Sequence, residues 1–335
     1  MFCLVLAGSQ SSVRAETIAC DDFDYATTNL DGQSGGVGWT GAWFLSPLET
    51  YHNTIVSPGF TNAGLVASGN RMSESGNDNR TFRYLDTARS EVADLICTGS
   101  YGSAAFGKHG TTNWIAFLMN MTSGNAYCGV HLADDLEPNY DKYGNKQHQR
   151  IQMGRNNTST NYYLGRVTNG GAGSGKWDSS IPVNSTVRLV VYRFDFKDPG
   201  EECWMWIDPI AGQEPSTTSA ALHATNITHF CFNVLSVGGS AVCNVDELRI
   251  ATSYAEAVPA SAFSITTPSS SPGATAVRWS SVPGITYWVT RTSSLAGLPE
   301  WTNAAGPVTA TTSTSTAIDI HAPALSAFYR VFYLP

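Results

Sequence analysis

The stretch Thr186–Phe196, TVRLVVYRFDF, does most to limit what this chain can fold into. Val190, Tyr192, Phe194 and Phe196 recur every second residue, and Arg193 and Asp195 fall between them. A period of two is the mark of a strand with one face in a core and the other toward water. Runs rich in β-branched and aromatic residues recur at 113–121, 126–133, 161–168, 202–208, 229–237 and 244–251, separated by clusters of Gly, Asn, Asp and Pro. A convincing long helical period is nowhere evident, and TARSEVADLIC (87–97) reads as one short helix. Many short strands with turn signals between them imply an all-β sandwich or jelly roll.

The 335 residues are enough for two cores. The first domain is expected over 17–257. Residues 258–273, VPASAFSITTPSSSPG, turn to Ser, Thr, Pro and small side chains and read as a linker. Strands at 274–280, 285–291, 316–320 and 327–333 then predict a small sandwich of immunoglobulin or fibronectin type over 274–335.

Charged residues make up only 14% of the chain, and the net charge is −8. Lys and Arg never cluster, so a nucleic-acid partner is excluded. Phe2–Ala7 is a short apolar run followed by small residues around Ala15, and residues 1–15 read as the remnant of a secretory signal. The predicted location is therefore secreted, extracellular or at the cell surface. No later run is long and apolar enough to predict a membrane span. Cys20, Cys97, Cys128, Cys203, Cys231 and Cys243 remain, an even count that fits export and at least one disulfide. They contain no C-x-x-C pair, which argues against a structural zinc site.

Several motifs fail on context. TNGGAGSGKW (168–177) has the glycines and lysine of a phosphate loop, but Trp177 replaces the magnesium-binding hydroxyl. Pro182 also follows where a helix should run, so no nucleotide is expected. GQSGG (32–36) lacks the strand–turn–helix setting of a nucleophile elbow. No Glu has an Asp two positions later, so the paired-carboxylate strand of laminarinase-type jelly rolls is missing. Arg89-Ser90-Glu91 resembles one strand motif of jelly-roll alginate lyases without the companion motifs. His223 and His229 share no face with a third ligand by strand or helix period, and read as ordinary histidines.

The segment DDFDYATTNLDGQSGGVGWTGAW (21–43) resembles the opening of a family of secreted bacterial proteins with a laminin-G-like, concanavalin A-like jelly roll. That family has an acidic-Phe-Asp-Tyr start and a G-W-x-G-x-W run, matched here by Gly38, Trp39, Gly41 and Trp43. TNWIAFLMN, MWIDPIAGQEPSTTSA (205–220) and NVDELRIATSYAEAVP (244–259) resemble its later segments, with Ala116 and Ala251 departing from the pattern. Many relatives end in a Pro-Glu-Pro sorting tail, which is absent before Pro335. The resemblance implies the fold and an exported location, and it carries no catalytic residues.

Two candidate sites follow. Trp39, Trp43, Trp177 and Trp204 are candidate rings for lying flat on sugar C–H faces. Asp22, Asp24 and Asp246 are candidate calcium ligands, with Asp21, Asn29, Asp31 and Glu247 nearby, if the first and last strands of the domain are neighbours. The expected function is non-catalytic binding of a polysaccharide, cell-surface glycan or other surface polymer. The alternatives are a glycan hydrolase or lyase with an unfamiliar site, and a purely structural matrix component. The oligomeric state is not legible.

Overall fold

The computed structural model describes residues 15–45, 51–60, 65, 69–76, 79–99, 102–134, 148–157, 159–167, 175–259, 265–271, 274–281, 286–294, 300–311, 314–321 and 327–333. The expected signal remnant lies outside these except for Ala15, as does the glycine-rich stretch 168–174.

Among the described residues, seventeen strands build the larger unit. They are β1 (Thr17–Asp21), β2 (Trp39–Leu45), β3 (Thr54–Val56), β4 (Arg71–Ser73), β5 (Asn79–Leu85), β6 (Ile96–Thr98), β7 (Ala104–Phe106), β8 (Thr112–Ser123), β9 (Cys128–Asp134), β10 (His148–Arg155), β11 (Asn161–Val167), β12 (Lys176–Pro182), β13 (Arg188–Asp195), β14 (Glu201–Ile207), β15 (Leu222–Ile227), β16 (Val234–Gly239) and β17 (Val242–Ala251). One sheet runs β15-β14-β13-β8-β17-β4-β3, with β1 also paired to β17. The other runs β12-β11-β10-β9-β16-β5-β2.

The main core lies between the sheets. Val190, Tyr192, Phe194 and Phe196, the apolar positions of the alternating stretch, all enter it. They meet Val130, Leu132, Met153 and Leu164 from the second sheet. The other face of β8 and β13 carries a second apolar layer of Trp114, Ala116, Leu118, Leu189 and Val191. Helix α1 (Tyr254–Ala257) and Ala211 contribute to the same layer. The predicted short helix is a 3-10 turn at Ser90–Leu95 that buries Val92 and Leu95. Lys176 opens a strand, not a helix, so the glycine-rich stretch joins two antiparallel strands.

The G-W-x-G-x-W segment has a physical cause. Cys20 and Val37 exchange both backbone hydrogen bonds. A Cβ on Gly38 would stand 1.9 Å from the Ile18 carbonyl oxygen, and one on Gly36 would stand 2.0 Å from that of Cys20. Only glycine lets this loop run so close to β1. The loop delivers Trp43 and Trp39 over the buried Asp21. The Asp21 carboxylate accepts hydrogen bonds from Trp43 Nε1 (2.8 Å), the Tyr25 hydroxyl (2.7 Å) and Arg83 (2.6 Å) through Oδ2, and from the Phe23 N–H (2.9 Å) through Oδ1. The Arg83 guanidinium lies 5.1 Å from the Trp39 ring centroid and donates to the Gly41 carbonyl.

The tail forms two three-stranded sheets from β18 (Ile265–Ser271), β19 (Ala274–Ser280), β20 (Thr286–Thr292), β21 (Thr302–Thr309), β22 (Thr314–Asp319) and β23 (Phe328–Tyr333). Its own core includes Trp279, Tyr287, Val289 and Val331. The expected linker over 258–273 is corrected at both ends. Val258 is buried in the outer layer of the first unit, and 265–271 is a strand paired with β19. Pro268 accounts for the difference. It sits where the β18–β19 register slips, on an edge strand, the place where a sheet accepts a residue without an N–H.

Replacing Arg83 with Met should lower unfolding free energy by about 3–5 kcal/mol in urea titration, because it strands a buried carboxylate. The Asp21→Asn, Arg83→Met double variant should recover part of that loss. A loss under about 1 kcal/mol for the single variant would show that the pair does not organise the segment.

Candidate functional site

The predicted aromatic platform is not assembled. Trp43 is 1% exposed and bonded to Asp21, so it offers no face to a ligand. Trp39 is half-buried, donates to the Cys20 carbonyl (2.9 Å) and carries Arg83 over its ring. Trp177 is half-buried against the main core and closely overlies Gly175. Trp204 stands in a row across four strands, His223–Trp204–Arg193–Trp114, set by register. His223 stacks on it at 4.6 Å and 9°, and Arg193 flanks it from the opposite neighbouring strand, 5.3 Å from its centroid. Its edge, not its face, is left for solvent.

Two residues along β14 from Trp204, on the same face, Trp206 forms the floor of a cleft of about 360 Å³. The cleft is bounded by Asp208, Gln213, Glu214, Pro215 and Ser216. The loop that shapes it is pinned at several points. Trp206 Nε1 donates to the Ser216 carbonyl (3.0 Å), the Tyr254 hydroxyl donates to the Ile210 carbonyl (2.6 Å), and Gly212 N–H donates to the Val258 carbonyl (2.9 Å). Asp208 holds Arg188 (2.5 Å) and the Leu189 N–H (2.8 Å), and Glu214 lies 3.6 Å from Arg193. Both carboxylates of the cleft thus have an arginine beside them. These residues fall in the MWIDPIAGQEPSTTSA segment, where sequence reading singled out a resemblance but no role.

The first and last strands of the unit do pair, with Asp21 opposite Leu248. Asp246 is fully buried, with Oδ2 accepting from Phe60 N–H (2.7 Å) and Oδ1 from Glu247 N–H (2.9 Å). Burial, with a smaller push from the charges of Glu247 and Asp22, raises its pKa to about 8. Asp22 is half-buried, and exposed Asp24 packs its carboxylate over Gly69. Among the described residues, the one set of three ligating side chains with donor atoms within 4.8 Å of one another is His109, Glu201 and His229. Sequence reading took His229 for an ordinary histidine, because its partners lie 120 and 28 residues away in the chain.

The six described cysteines carry free thiols, so the expected disulfide is not formed among them. Four of them nonetheless meet in pairs. Cys97 and Cys231 sulfurs are 2.7 Å apart, and Cys128 hydrogen-bonds Cys243. The hydrogen bond from Cys231 lowers the Cys97 pKa below the usual thiol value.

No family model matches the chain, and no curated protein matches it. It is similar to the globular domain of T. cruzi calreticulin, at 8% identity and a TM-score of 0.36, over 64% of this chain and 86% of that one. It is also similar to an endo-1,3-beta-glucanase from Streptomyces sioyaensis (13%, TM-score 0.32, 71% and 96%) and to peanut lectin (8%, 0.32, 68% and 97%). The strand order of the two facing sheets defines the class: an all-β sandwich followed by a smaller unit of two three-stranded sheets. Among the described residues no helix is long and apolar enough to cross a membrane.

Asp246 gives a pH prediction. Its folded pKa lies above its unfolded one, so the folded chain holds a proton that the unfolded chain has released between about pH 4 and 8. Its contribution to stability is full below pH 4 and is lost as pH rises toward 8. The wild-type melting temperature should fall more steeply over that window than that of Asp246→Asn. Equal slopes would contradict the assignment, and a slope abolished by added calcium would place the ion at Asp246.

Proposed function

We infer that this chain is an exported, non-catalytic protein that binds a neutral glycan in the cleft over Trp206. The observation that carries the reading is the cleft's mixed lining. Pro209, Pro215, Ile207 and Ile210 supply apolar surface for sugar C–H groups, and Gln213, Glu214 and Ser216 supply donors and acceptors for hydroxyls. Its volume falls within the range of small-molecule sites. The arginines beside Asp208 and Glu214 offset their charge, so the cleft favours an uncharged polymer over an anionic one. Export requires the protein in the medium or at the cell surface on fractionation.

The test is titration calorimetry of the full chain against soluble glucans, xylans and mannans, with alginate as the anionic counterpart. At least one neutral polymer should bind. The Gln213→Ala, Glu214→Ala variant should weaken it by about tenfold or more, the loss of one or two hydrogen bonds, with an unchanged melting temperature. Wild-type affinity in that variant, or binding of alginate alone, would overturn the reading.

A second reading, a glycan-degrading enzyme, has one observation in its favour. His131 and Gln152 are cross-strand partners on the face of the second sheet turned away from the main core, where His131 and Tyr163 are both buried, and the Tyr163 hydroxyl donates to Gln152 Oε1 (2.8 Å). An imidazole and a phenol on one face are the groups that acid–base cleavage uses. Release of reducing ends or unsaturated sugars in the same experiment would select this reading instead.

A further inference from the structure

Three chain turns converge at one end of the sandwich. The β7–β8 turn carries His109, the β13–β14 turn leads into Glu201, and the β15–β16 connection carries His229. Close backbone packing brings them together. A Cβ on Gly107 would stand 2.7 Å from the Phe230 carbonyl oxygen, and one on Gly200 would stand 3.0 Å from Asn226 Cα. Arg166 donates to the carbonyls of Thr228 and His229 and fixes the third turn.

The result is a convergence that protons satisfy poorly. His229 Nδ1 is 2.8 Å from His109 Nε2 and 2.5 Å from Glu201 Oε1, and His109 Nε2 is 3.8 Å from the same oxygen. An imidazole nitrogen has one in-plane direction, filled by a proton or by a lone pair. Nδ1 of His229 therefore cannot make a full hydrogen bond to both neighbours. A cation at the centre satisfies all three atoms through lone pairs.

The outer nitrogens point the same way. His109 Nδ1 lies 3.2 Å from Asp198 Oδ1, and His229 Nε2 lies 3.5 Å from Cys231 Sγ. Each partner can accept an N–H, which leaves His109 Nε2 and His229 Nδ1 as the unprotonated nitrogens facing Glu201. A ligating histidine held by an acceptor on its other nitrogen is the usual outer arrangement of metal sites. Glu201 is fully buried, and its second oxygen accepts from Lys197 N–H (2.7 Å), which fixes the carboxylate.

We propose that His109, Glu201 and His229 bind one divalent transition-metal ion, with zinc as the fitting case. Two imidazoles and a carboxylate suit zinc, whose bonds of about 2.0–2.2 Å in a tetrahedron separate ligand atoms by about 3.3 Å. The observed spacings of 2.5, 2.8 and 3.8 Å bracket that value, so small side-chain rotations complete the site. Both histidine side chains are about two-fifths exposed, so the fourth position opens to solvent and takes water or an external ligand. The C-x-x-C rule used on the sequence missed this site because its ligands are not cysteines and come from three separate turns.

The test is titration of metal-free full-length protein with zinc chloride, read by calorimetry and melting temperature. One equivalent should bind and raise the melting temperature. The surface variant His109→Gln should weaken binding by at least about 100-fold, and Asp198→Asn by about tenfold, each with the metal-free melting temperature unchanged. Cobalt should give a visible d–d band that His109→Gln abolishes. Cys97→Ser should bind zinc as the wild type does. Absence of zinc binding, wild-type affinity in His109→Gln, or loss of binding in Cys97→Ser would each overturn the three-ligand assignment.

Discussion

The buried Asp21–Arg83 pair is the constraint on which the larger unit depends. Burial raises the Asp21 pKa, and donors from Tyr25, Phe23, Trp43 and Arg83 oppose that shift by holding the charged form. The donors come from three parts of the chain. Phe23 and Tyr25 follow β1, Trp43 lies on β2, and Arg83 lies on β5 of the second sheet. Asp21 itself lies on β1, which pairs with β17 of the first sheet. One carboxylate thus ties the two sheets where the larger unit begins and ends, and Gly36 and Gly38 let the loop run close enough to reach it.

With that edge fixed, the apolar face of β13 packs inward and its other face is free to build outward. Trp114, Trp206 and Tyr254 form an aromatic layer there, with Trp114 and Trp206 stacked at 5.6 Å. The loop after β14 lies over this layer and shapes the cleft. The turns that flank the same strands at one end hold the histidine–glutamate cluster. The cleft on a face and the histidine–glutamate cluster at an end are therefore separate products of one framework.

The strands were legible because period-two alternation is a local property. β13, β14, β17 and β19 fall within two residues of where their side chains predict them. β10 and β12 were not seen, since HQRIQMGR and KWDSSIP carry polar or charged groups at most positions. β18 is illegible in sequence because an edge strand with a bulge needs few apolar residues. The acidic composition of the segment is legible in sequence, but the distinct role of Asp21 among its acidic neighbours is not, because its donors come from β2 and β5 as well as from the residues beside it. Trp43, a candidate platform by sequence, is buried and bonded to Asp21, because sequence shows that a ring is present and not what covers its faces. The His109–Glu201–His229 cluster had no sequence signal at all, since its spacing exists only after the turns are packed.

The central claim is that ligand recognition sits on the loop over Trp206. Hydrogen–deuterium exchange of the full chain, with and without a saturating neutral oligosaccharide, measures this most directly. Protection concentrated in residues 207–219 is the predicted result. Protection confined to the outer face of the second sheet around His131 and Tyr163, or no protection at all, would contradict it.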